Sequence, residues 1–451
     1  MAGSPKKHFY RRVLPDTCIS FASEQGKQLF QEALQAGHMT CYFSLAAQFR
    51  TQDEPAFCGI STLVMVLNTL EVDPKRVWKG PWRWYHEDML DCCVPLDVIK
   101  QDGITLEQFA CLATCNTLDV QLVRADPQLT VDSFRKVVSH ISQQEKQVLV
   151  ASYSRRTLQQ TGDGHFSPIA GYHPGKDMAL ILDTARFKYP PHWVSLSLLH
   201  EAMQLCDKGT GRPRGYVLLQ KTDASPLILF RASNSFNITK PCNATESCKA
   251  HDVINSYLSW LCETKPDPEA TIKNSDVIEA AITKFVQIMS SLLENEVILS
   301  TQVDLTAARE MSSEHSCAIQ DLVQALETLP FYQDISSTIT KLENDLEFSK
   351  AVNLIGKVSP AIPKNCCSKS KVCETAIKNV KEAHFFTVFL LCTSFLEKCG
   401  PGTYGHVLGR FANESLESSS PLLKNEMLLL SKQMETVLKY TEKCQQCQCM
   451  C

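Results

Sequence analysis

The chain of 451 residues predicts an α+β fold for its first half and a mainly helical fold for its second half. In the first half, segments with helical spacing of apolar residues come first, and short apolar runs separated by turn residues follow. Helices followed by neighbouring strands are typical of an α+β domain. The cysteines divide unevenly, with eight before residue 221 and thirteen after it.

Helical periodicity in the first half covers four segments, and short apolar runs predict five strands in a meandering antiparallel order. The predicted helices are 24–34, 59–70, 105–113 and 131–140. The predicted strands are 120–123, 147–153, 166–172, 178–183 and 215–219.

The second half contains longer helical patterns joined by polar, cysteine-containing loops. We expect helices over 275–297, 318–329, 334–354, 375–396 and 421–440. The change in pattern places a domain boundary near residue 221 and predicts two domains, 1–221 and 222–451.

Composition and charge narrow the function classes. A formal net charge of −4 gives no electrostatic reason to bind nucleic acid or an anionic membrane. The amino-terminal residues lack the apolar segment of a secretory signal, and the longest apolar stretch, 384–396, is too short to cross a bilayer. We therefore expect a cytoplasmic protein whose 21 cysteines are mostly reduced, and we leave a homodimer open.

Cys58 stands where loop sequence changes into an apolar helix. Pro55 is unfavourable inside a helix, and twelve largely apolar, helix-compatible residues begin at Gly59. A thiol at a helix N-terminus is stabilised as thiolate by the helix dipole. Gln52, six residues upstream, could place its amide beside an oxyanion that forms at this sulfur. This arrangement is that of a papain-like cysteine nucleophile, although a lone cysteine at a helix start is more often a small buried apolar residue.

His165 and Asp183 supply the groups that a catalytic thiol requires. A thiolate needs a base, and the imidazole of that base needs an acceptor that orients it. His165 enters one predicted strand and Asp183 ends the next, 18 residues later, so the two side chains can face each other. Taken singly, each could be an ordinary turn residue, but their joint order of Cys, His and Asp favours a catalytic triad.

Five runs of sequence closely resemble phytochelatin synthases, and the resemblance covers about residues 8–220. The runs are QDEPAFCG at 52–59, KGPWRWY at 79–85, MLDCC at 89–93, GHFSPI at 164–169 and DMALILDTARFKYPPHW at 177–193. The second half resembles that family only in kind, as a variable, cysteine-rich carboxyl-terminal domain.

The resemblance implies a papain-like fold and a glutathione γ-glutamylcysteinyltransferase activity that is stimulated by heavy metals. It implies Cys58 as nucleophile, His165 as base and acid, and Asp183 as the residue that orients the imidazole, with Gln52 in the oxyanion hole. Glutathione would be cleaved at its Cys–Gly bond, and a second glutathione would accept the γ-Glu-Cys group.

Glutathione is anionic, so its carboxylates require cations and its ammonium group requires an acid. Our candidates for the carboxylates are Arg186, then Lys188 and Arg155, and our candidates for the ammonium group are Asp207 and Glu54. Arg186 could equally be a solvated arginine at a strand end.

Soft ions such as Cd²⁺ and Zn²⁺ bind thiolates strongly, either as glutathione complexes that serve as acceptor or on the protein itself. A flexible tail carrying four thiols within eight residues is the first candidate for metal capture: Cys444, Cys447, Cys449 and Cys451. Weaker candidates are Cys92, Cys93, Cys111 and Cys115, which could also be buried free thiols, together with Cys366, Cys367 and Cys373.

Three functions remain open on the sequence. The first is the metal-stimulated transpeptidase, the second is a hydrolase that removes glycine from glutathione or its conjugates, and the third is a thiol metal buffer without catalysis. The first two share a catalytic triad and differ only in the acceptor.

Overall fold

The computed structural model describes most of both halves of the chain. The described residues are 12–74, 78–90, 94, 96–222, 229–232, 247–266, 273–289, 298–301, 313–342, 345–357, 379–393, 396 and 399–442. The helices and strands below lie within these ranges.

The first half combines seven helices with seven strands. The helices are α1 (Glu24–Gln35), α2 (Thr40–Ala47), α3 (Cys58–Thr69), α4 (Leu96–Asp102), α5 (Leu106–Cys115), α6 (Val131–Ile141) and α7 (Leu196–Gln204). The strands are β1 (Cys18–Ser20), β2 (Leu118–Arg124), β3 (Gln147–Ser154), β4 (Gly164–His173), β5 (Met178–Ile181), β6 (His192–Ser195) and β7 (Gly215–Lys221).

All seven strands form one antiparallel sheet in the order β1-β6-β5-β4-β3-β7-β2. Alternate residues of a strand face opposite sides of a sheet, and both faces of this sheet are covered. Val148 and Val150 belong to the core that includes α3 and α5, whereas Leu149 and Ala151 belong to a second core with α6 and α7. The sheet is therefore buried on both sides, as its almost uninterrupted apolar strands require.

The second half is mainly helical. Its helices are α8 (Ser247–Glu263), α9 (Asn274–Met289), α10 (Ser313–Glu327), α11 (Pro330–Leu342), α12 (Leu346–Ile355), α13 (Glu382–Cys392), α14 (Tyr404–Glu417) and α15 (Pro421–Glu442). A small second sheet has the order β10-β9-β8, from β8 (Phe230–Ala232), β9 (Leu299–Thr301) and β10 (Gly356–Lys357).

Helix α15 joins the two halves. It packs against α5 of the first half, and Lys432 Nζ lies 3.3 Å from Asp119 Oδ1 on β2. On its buried side, Glu426 accepts hydrogen bonds from the backbone N–H groups of Leu229 and Phe230, both at 2.9 Å. The carboxyl-terminal helix is thus attached both to the first half and to the segment that follows it.

The α+β character of the first half and the helical character of the second are confirmed. The four predicted helices of the first half correspond to α1, α3, α5 and α6, and the five predicted strands to β2, β3, β4, β5 and β7. The division at residue 221 stays a prediction, and β7 ends at Lys221.

Two predictions in the second half are wrong in detail. The single helix expected over 334–354 is two helices, because the Asp345 side chain accepts a bond from Glu347 N and begins α12 as an N-cap. Of the helix expected over 375–396, residues 375–378 lie outside the described residues, and the described helix runs from Glu382 to Cys392, after a turn at residue 379.

Three of the described cysteines are exceptions to the expectation of mostly reduced thiols. Cys262, in α8, forms a disulfide with Cys399, which precedes α14, and Cys111 is also disulfide-bonded. Cys58 and Cys115 are not disulfide-bonded.

Candidate active site

Cys58 is the first residue of α3, a helix that is buried along almost its whole length. Residues 59–68 are all buried, so the helix runs through the core and presents only its N-terminal end to a cavity. The turn before it is closed by a backbone bond from Phe57 N to Glu54 O of 3.0 Å. The first N–H groups of an α-helix have no carbonyl partner within the helix, and they stabilise negative charge at this position.

His165 and Asp183 meet as the sequence predicts. His165 is the second residue of β4, and Asp183 lies two residues beyond the end of the neighbouring strand β5. The distance from His165 Nε2 to Asp183 Oδ1 is 2.7 Å, and the Ala185 N–H also donates to Oδ1 at 2.8 Å. Asp183 is completely buried, so its carboxylate holds the imidazole without competition from water.

The thiol, the imidazole and the carboxylate are electrostatically linked. Burial opposes ionisation of the Cys58 thiol, but the charge of His165 and a hydrogen bond with its side chain outweigh burial and lower the pKa of Cys58. Burial and the nearby Arg155 disfavour the imidazolium, whereas Asp183 and Cys58 stabilise it, and the pKa of His165 is raised overall. Because Nε2 faces Asp183, Nδ1 is the ring nitrogen left for the thiol. These shifts favour a thiolate–imidazolium pair.

Arg155, expected among the substrate cations, is occupied by the catalytic carboxylate. Its Nη2 donates to Asp183 Oδ2 at 2.6 Å, and its Nη1 donates to Gln160 Oε1 at 2.6 Å. The side chain is only 2% exposed. Despite the burial of Asp183, His165 and Arg155 hold the pKa of this carboxyl well below its usual range. Arg155 therefore fixes the charge and position of Asp183, although part of it also lines the cavity.

A cavity of roughly 640 Å³ opens at Cys58 and His165. One wall comes from the start of α5 and the residues before it, including Ile104, Thr105 and Gln108. The lining also carries charges of both signs, among them Asp163, Lys188, Asp207, Lys208 and Arg214. A volume of this size suits a small, charged molecule.

Two glycines allow the close packing around this cavity. Gly162 has a φ of 101°, which side chains rarely permit, and a Cβ there would lie 3.4 Å from Lys188 Nζ. A Cβ on Gly59 would lie 2.5 Å from the Ile104 side chain. The turn over Lys188 and the approach of α3 to the cavity wall both depend on glycine.

The predicted substrate residues divide into two groups. Lys188 and Asp207 line the cavity, as expected for contacts with a charged substrate. Arg186 instead places its guanidinium 4.9 Å from the centre of the Phe49 ring, and Glu54 forms an ion pair of 2.6 Å with Lys100. Neither Arg186 nor Glu54 is among the residues that line the cavity.

Gln52 is buried, and its amide N–H groups are directed at backbone carbonyls. Nε2 donates to the carbonyls of Glu54 and Pro55, both at 2.9 Å, and Oε1 accepts from Thr184 Oγ1 at 3.2 Å. In this arrangement Gln52 holds the loop that leads into Cys58. Its place in the oxyanion hole stays a prediction.

Sequence reasoning missed three cavity residues, Asp163, Lys208 and Arg214. Arg214 is buried, and its Nη2 lies 3.4 Å from Asp207 Oδ2 and 3.5 Å from Asp163 Oδ1. The sequence does place Arg214 immediately before the predicted strand that begins at Gly215. It does not show that this strand lies beside β3, and this neighbour is what brings Arg214 to the cavity.

The predicted metal ligands are not assembled in the part of the chain that the structure describes. Those residues contain no group of three or more His, Cys, Asp or Glu side chains that could hold a metal ion. Cys111 is disulfide-bonded, and Cys115 is buried and not part of a disulfide. The other candidates, Cys92, Cys93, Cys366, Cys367, Cys373, Cys444, Cys447, Cys449 and Cys451, lie outside the described residues.

Comparison with known proteins adds to this geometry. The model of the phytochelatin synthase family matches residues 9–216. Glutathione gamma-glutamylcysteinyltransferase 2 of Arabidopsis thaliana is 34% identical over 466 aligned residues, which cover 96% of each chain. The chain belongs to the phytochelatin synthase family.

Two other relatives match over about half of this chain. The glutathione gamma-glutamylcysteinyltransferase of Schizosaccharomyces pombe is 53% identical over 48% of this chain and 52% of its own length. Glutathione gamma-glutamylcysteinyltransferase 1 of Lotus japonicus is 48% identical over 57% of this chain and 48% of its own length. The matched region thus spans about half the length of these two relatives.

None of the described helices is long and apolar enough to cross a bilayer.

Proposed function

We propose that this member of the phytochelatin synthase family is a glutathione γ-glutamylcysteinyltransferase that uses a papain-like Cys-His-Asp triad. The observation that carries the proposal is the linked set of Cys58, His165 and Asp183 at the edge of a charged cavity. The names of the relatives supply the reaction, and the geometry of the site supplies groups able to perform it.

The first half-reaction is acyl transfer from glutathione to the enzyme. The Cys58 thiolate attacks the carbonyl carbon of the Cys–Gly peptide bond, and His165 gives its proton to the departing amine of glycine. A γ-Glu-Cys thioester on Cys58 and free glycine result. Asp183 remains ionised and keeps the imidazole aligned through both steps.

The charges of the cavity suit the donor substrate. Glutathione carries two carboxylates and one ammonium group, and the cavity lining offers Lys188, Lys208 and Arg214 for the former and Asp163 and Asp207 for the latter. A site that mixes both signs binds a zwitterion better than a simple anion. Asp207 is therefore retained from the sequence prediction as a partner of the ammonium group.

Stabilisation of the tetrahedral oxyanion is assigned to the Cys58 backbone N–H and, as a prediction, to Gln52. Removal of one oxyanion donor typically costs about 3–4 kcal/mol of transition-state stabilisation. In this structure Gln52 Nε2 donates to the carbonyls of Glu54 and Pro55. To bind the oxyanion, Nε2 would have to break one of these two hydrogen bonds and donate to the oxyanion instead.

In the second half-reaction, the α-amine of another glutathione attacks the thioester. The acceptor amine must lose a proton, which His165 can take, and Cys58 is released as thiolate. The products are (γ-Glu-Cys)n-Gly chains. Cd²⁺ or Zn²⁺ enters this proposal as part of the acceptor, a glutathione thiolate complex.

The deciding experiment is incubation of the purified chain with glutathione and Cd²⁺, followed by mass spectrometry of the products. We expect (γ-Glu-Cys)₂-Gly and one glycine per transfer, and no product from Cys58→Ser. Free γ-Glu-Cys without oligomer would make the protein the hydrolase described above. If neither product forms and Cd²⁺ is retained, the protein is a metal buffer and the proposal is wrong.

A further inference from the structure

We propose that Glu107 is a positioning residue that ties the loop 205–214 to helix α5 and thereby fixes the side of the cavity that binds substrate charges. This inference rests on the proposed function. Glu107 lies in the first turn of α5, only 2% of its surface is exposed, and it does not line the cavity itself.

Two arginines meet the buried carboxylate. Arg124, the last residue of β2, forms a close ion pair with Glu107 Oε1, and its Nη1 donates to the carbonyl of Pro213. Arg212 lies in the loop, and its Nη1 is 3.7 Å from the same carboxylate oxygen. Glu107 thus reaches the loop twice, once through the Arg212 side chain and once through Arg124 and the backbone.

The loop is a narrow hairpin between α7 and β7, and its last residue, Arg214, accepts a backbone hydrogen bond from Ala125 N at 2.8 Å. Its ends pair through an isolated bridge between Cys206 and Pro213, and Asp207 N donates to Arg212 O at 2.7 Å. Gly211, with a φ of 63°, reverses the chain between them. Such a hairpin keeps its internal shape, but its position relative to α5 depends on contacts from outside.

The contacts of Glu107 connect two walls of the cavity. The hairpin contributes Asp207, Lys208 and Arg214, and α5 with its N-cap contributes Thr105 and Gln108. A displacement of the hairpin would move the charged groups that face the substrate. It would leave His165 in place, because the bonds of its imidazole go to Asp183 and Arg155.

Neutralising Glu107 should therefore weaken substrate binding rather than the chemistry at Cys58. Glutamine has nearly the same shape as glutamate, but it leaves Arg124 and Arg212 facing each other without a carboxylate between them. Like charges repel, and a buried cation without a partner destabilises its surroundings. We expect the hairpin to move outward and the affinity for glutathione to fall.

The test compares Glu107→Gln, Arg212→Gln and the double variant in the full chain. We expect KM for glutathione to rise about 10-fold in each single variant, which corresponds to about 1.4 kcal/mol, with kcat within about 2-fold of wild type. The double variant should resemble Glu107→Gln, because that variant has already lost the contact with Arg212. Glu107→Asp should recover part of the affinity, and Glu201→Gln, at an exposed site in α7, should change nothing.

Two further measurements separate positioning from general damage. Alkylation of Cys58 by iodoacetamide in the absence of glutathione should proceed at the wild-type rate in Glu107→Gln. Hydrogen exchange of 205–214 should accelerate in that variant, while exchange in β4 remains unchanged.

An unchanged KM, a fall in kcat alone, or additive effects in the double variant would overturn the inference. If Glu107→Gln does not fold, Arg212→Gln breaks the same contact from the loop side and decides the matter. If the wild-type chain does not cleave glutathione, the proposed function fails, and unaltered hydrogen exchange of the hairpin would then reject the positioning role separately.

Discussion

Replacement of Arg155 by methionine should destabilise the first half of the molecule strongly. Arg155 Nη2 and Asp183 Oδ2 are 2.6 Å apart, and both side chains are almost completely buried. Methionine fills much of the same volume but leaves the carboxylate without its permanent cation. Removing one partner of a buried ion pair typically costs about 3–5 kcal/mol of unfolding free energy. Since Asp183 keeps bonds from His165 and Ala185 N, we expect about 3 kcal/mol, at the lower end of that range.

The neighbouring Arg156 provides a matched control. Its side chain is 62% exposed, and it lies 3.9 Å from Asp163. Exposed ion pairs contribute about 0–1 kcal/mol, so Arg156→Met should leave the urea midpoint nearly unchanged. Urea unfolding would be measured at pH 7 in parallel for both variants, by circular dichroism and by tryptophan fluorescence.

The effect of Arg155→Met should also depend on pH. Asp183 has a pKa below its ordinary value, so its ionised form contributes stability above about pH 4, and this contribution decreases as pH falls. The difference in unfolding free energy between wild type and Arg155→Met should therefore become smaller below pH 4. Equal urea midpoints for Arg155→Met and Arg156→Met at pH 7 would refute the reasoning.

Three further predictions concern other parts of the molecule. Despite burial, His165 lowers the pKa of Cys58, so alkylation of Cys58 should persist below pH 8.5, which is about the pKa of a free thiol. Asp183→Asn removes a charge that stabilises the imidazolium and should shift the midpoint of the alkylation pH profile upward. Burial raises the pKa of Glu87 from 4.5 to about 7. The protonated Glu87 carboxyl therefore contributes stability that is complete below pH 4.5 and is lost as the pH rises through 7. Glu87→Gln should flatten the resulting decline of Tm between pH 5 and pH 8. Glu426→Ala leaves two buried N–H groups without an acceptor and should lower the unfolding free energy, measured by thermal unfolding, by about 2–4 kcal/mol. Glu435→Ala, at an exposed site of the same helix, should have little effect in the same measurement.

The part of the site that follows from the sequence is the part that depends on local structure. Pro55 and the apolar run that begins at Gly59 together predict that Cys58 stands at the start of a helix, as it does. His165 lies on β4 and Asp183 lies just beyond the end of β5; these strands are joined by a short turn, and consecutive antiparallel strands are usually neighbours in a sheet. These two rules alone bring a histidine and a carboxylate together.

The remaining residues depend on contacts between distant elements. Arg155 looks like a free cation in the sequence, and only the fold of the turn 155–163 shows that it reaches Asp183. Arg214 enters the cavity because β7 inserts between β3 and β2, an order that the succession of strands along the chain does not reveal. The break between α11 and α12 is local, but a single N-cap aspartate within a long apolar pattern is easily overlooked.

The position of α15 has a consequence for how the protein is made. Leu229 and Phe230 find their acceptor in Glu426, almost 200 residues later, and the same helix packs on α5. A ribosome must therefore translate nearly the entire message before these groups are satisfied, although every strand of the large sheet has been synthesised by residue 221. A premature stop codon ahead of residue 421 would yield a polypeptide with the triad residues present, but with α5 uncovered and prone to aggregate or to be degraded.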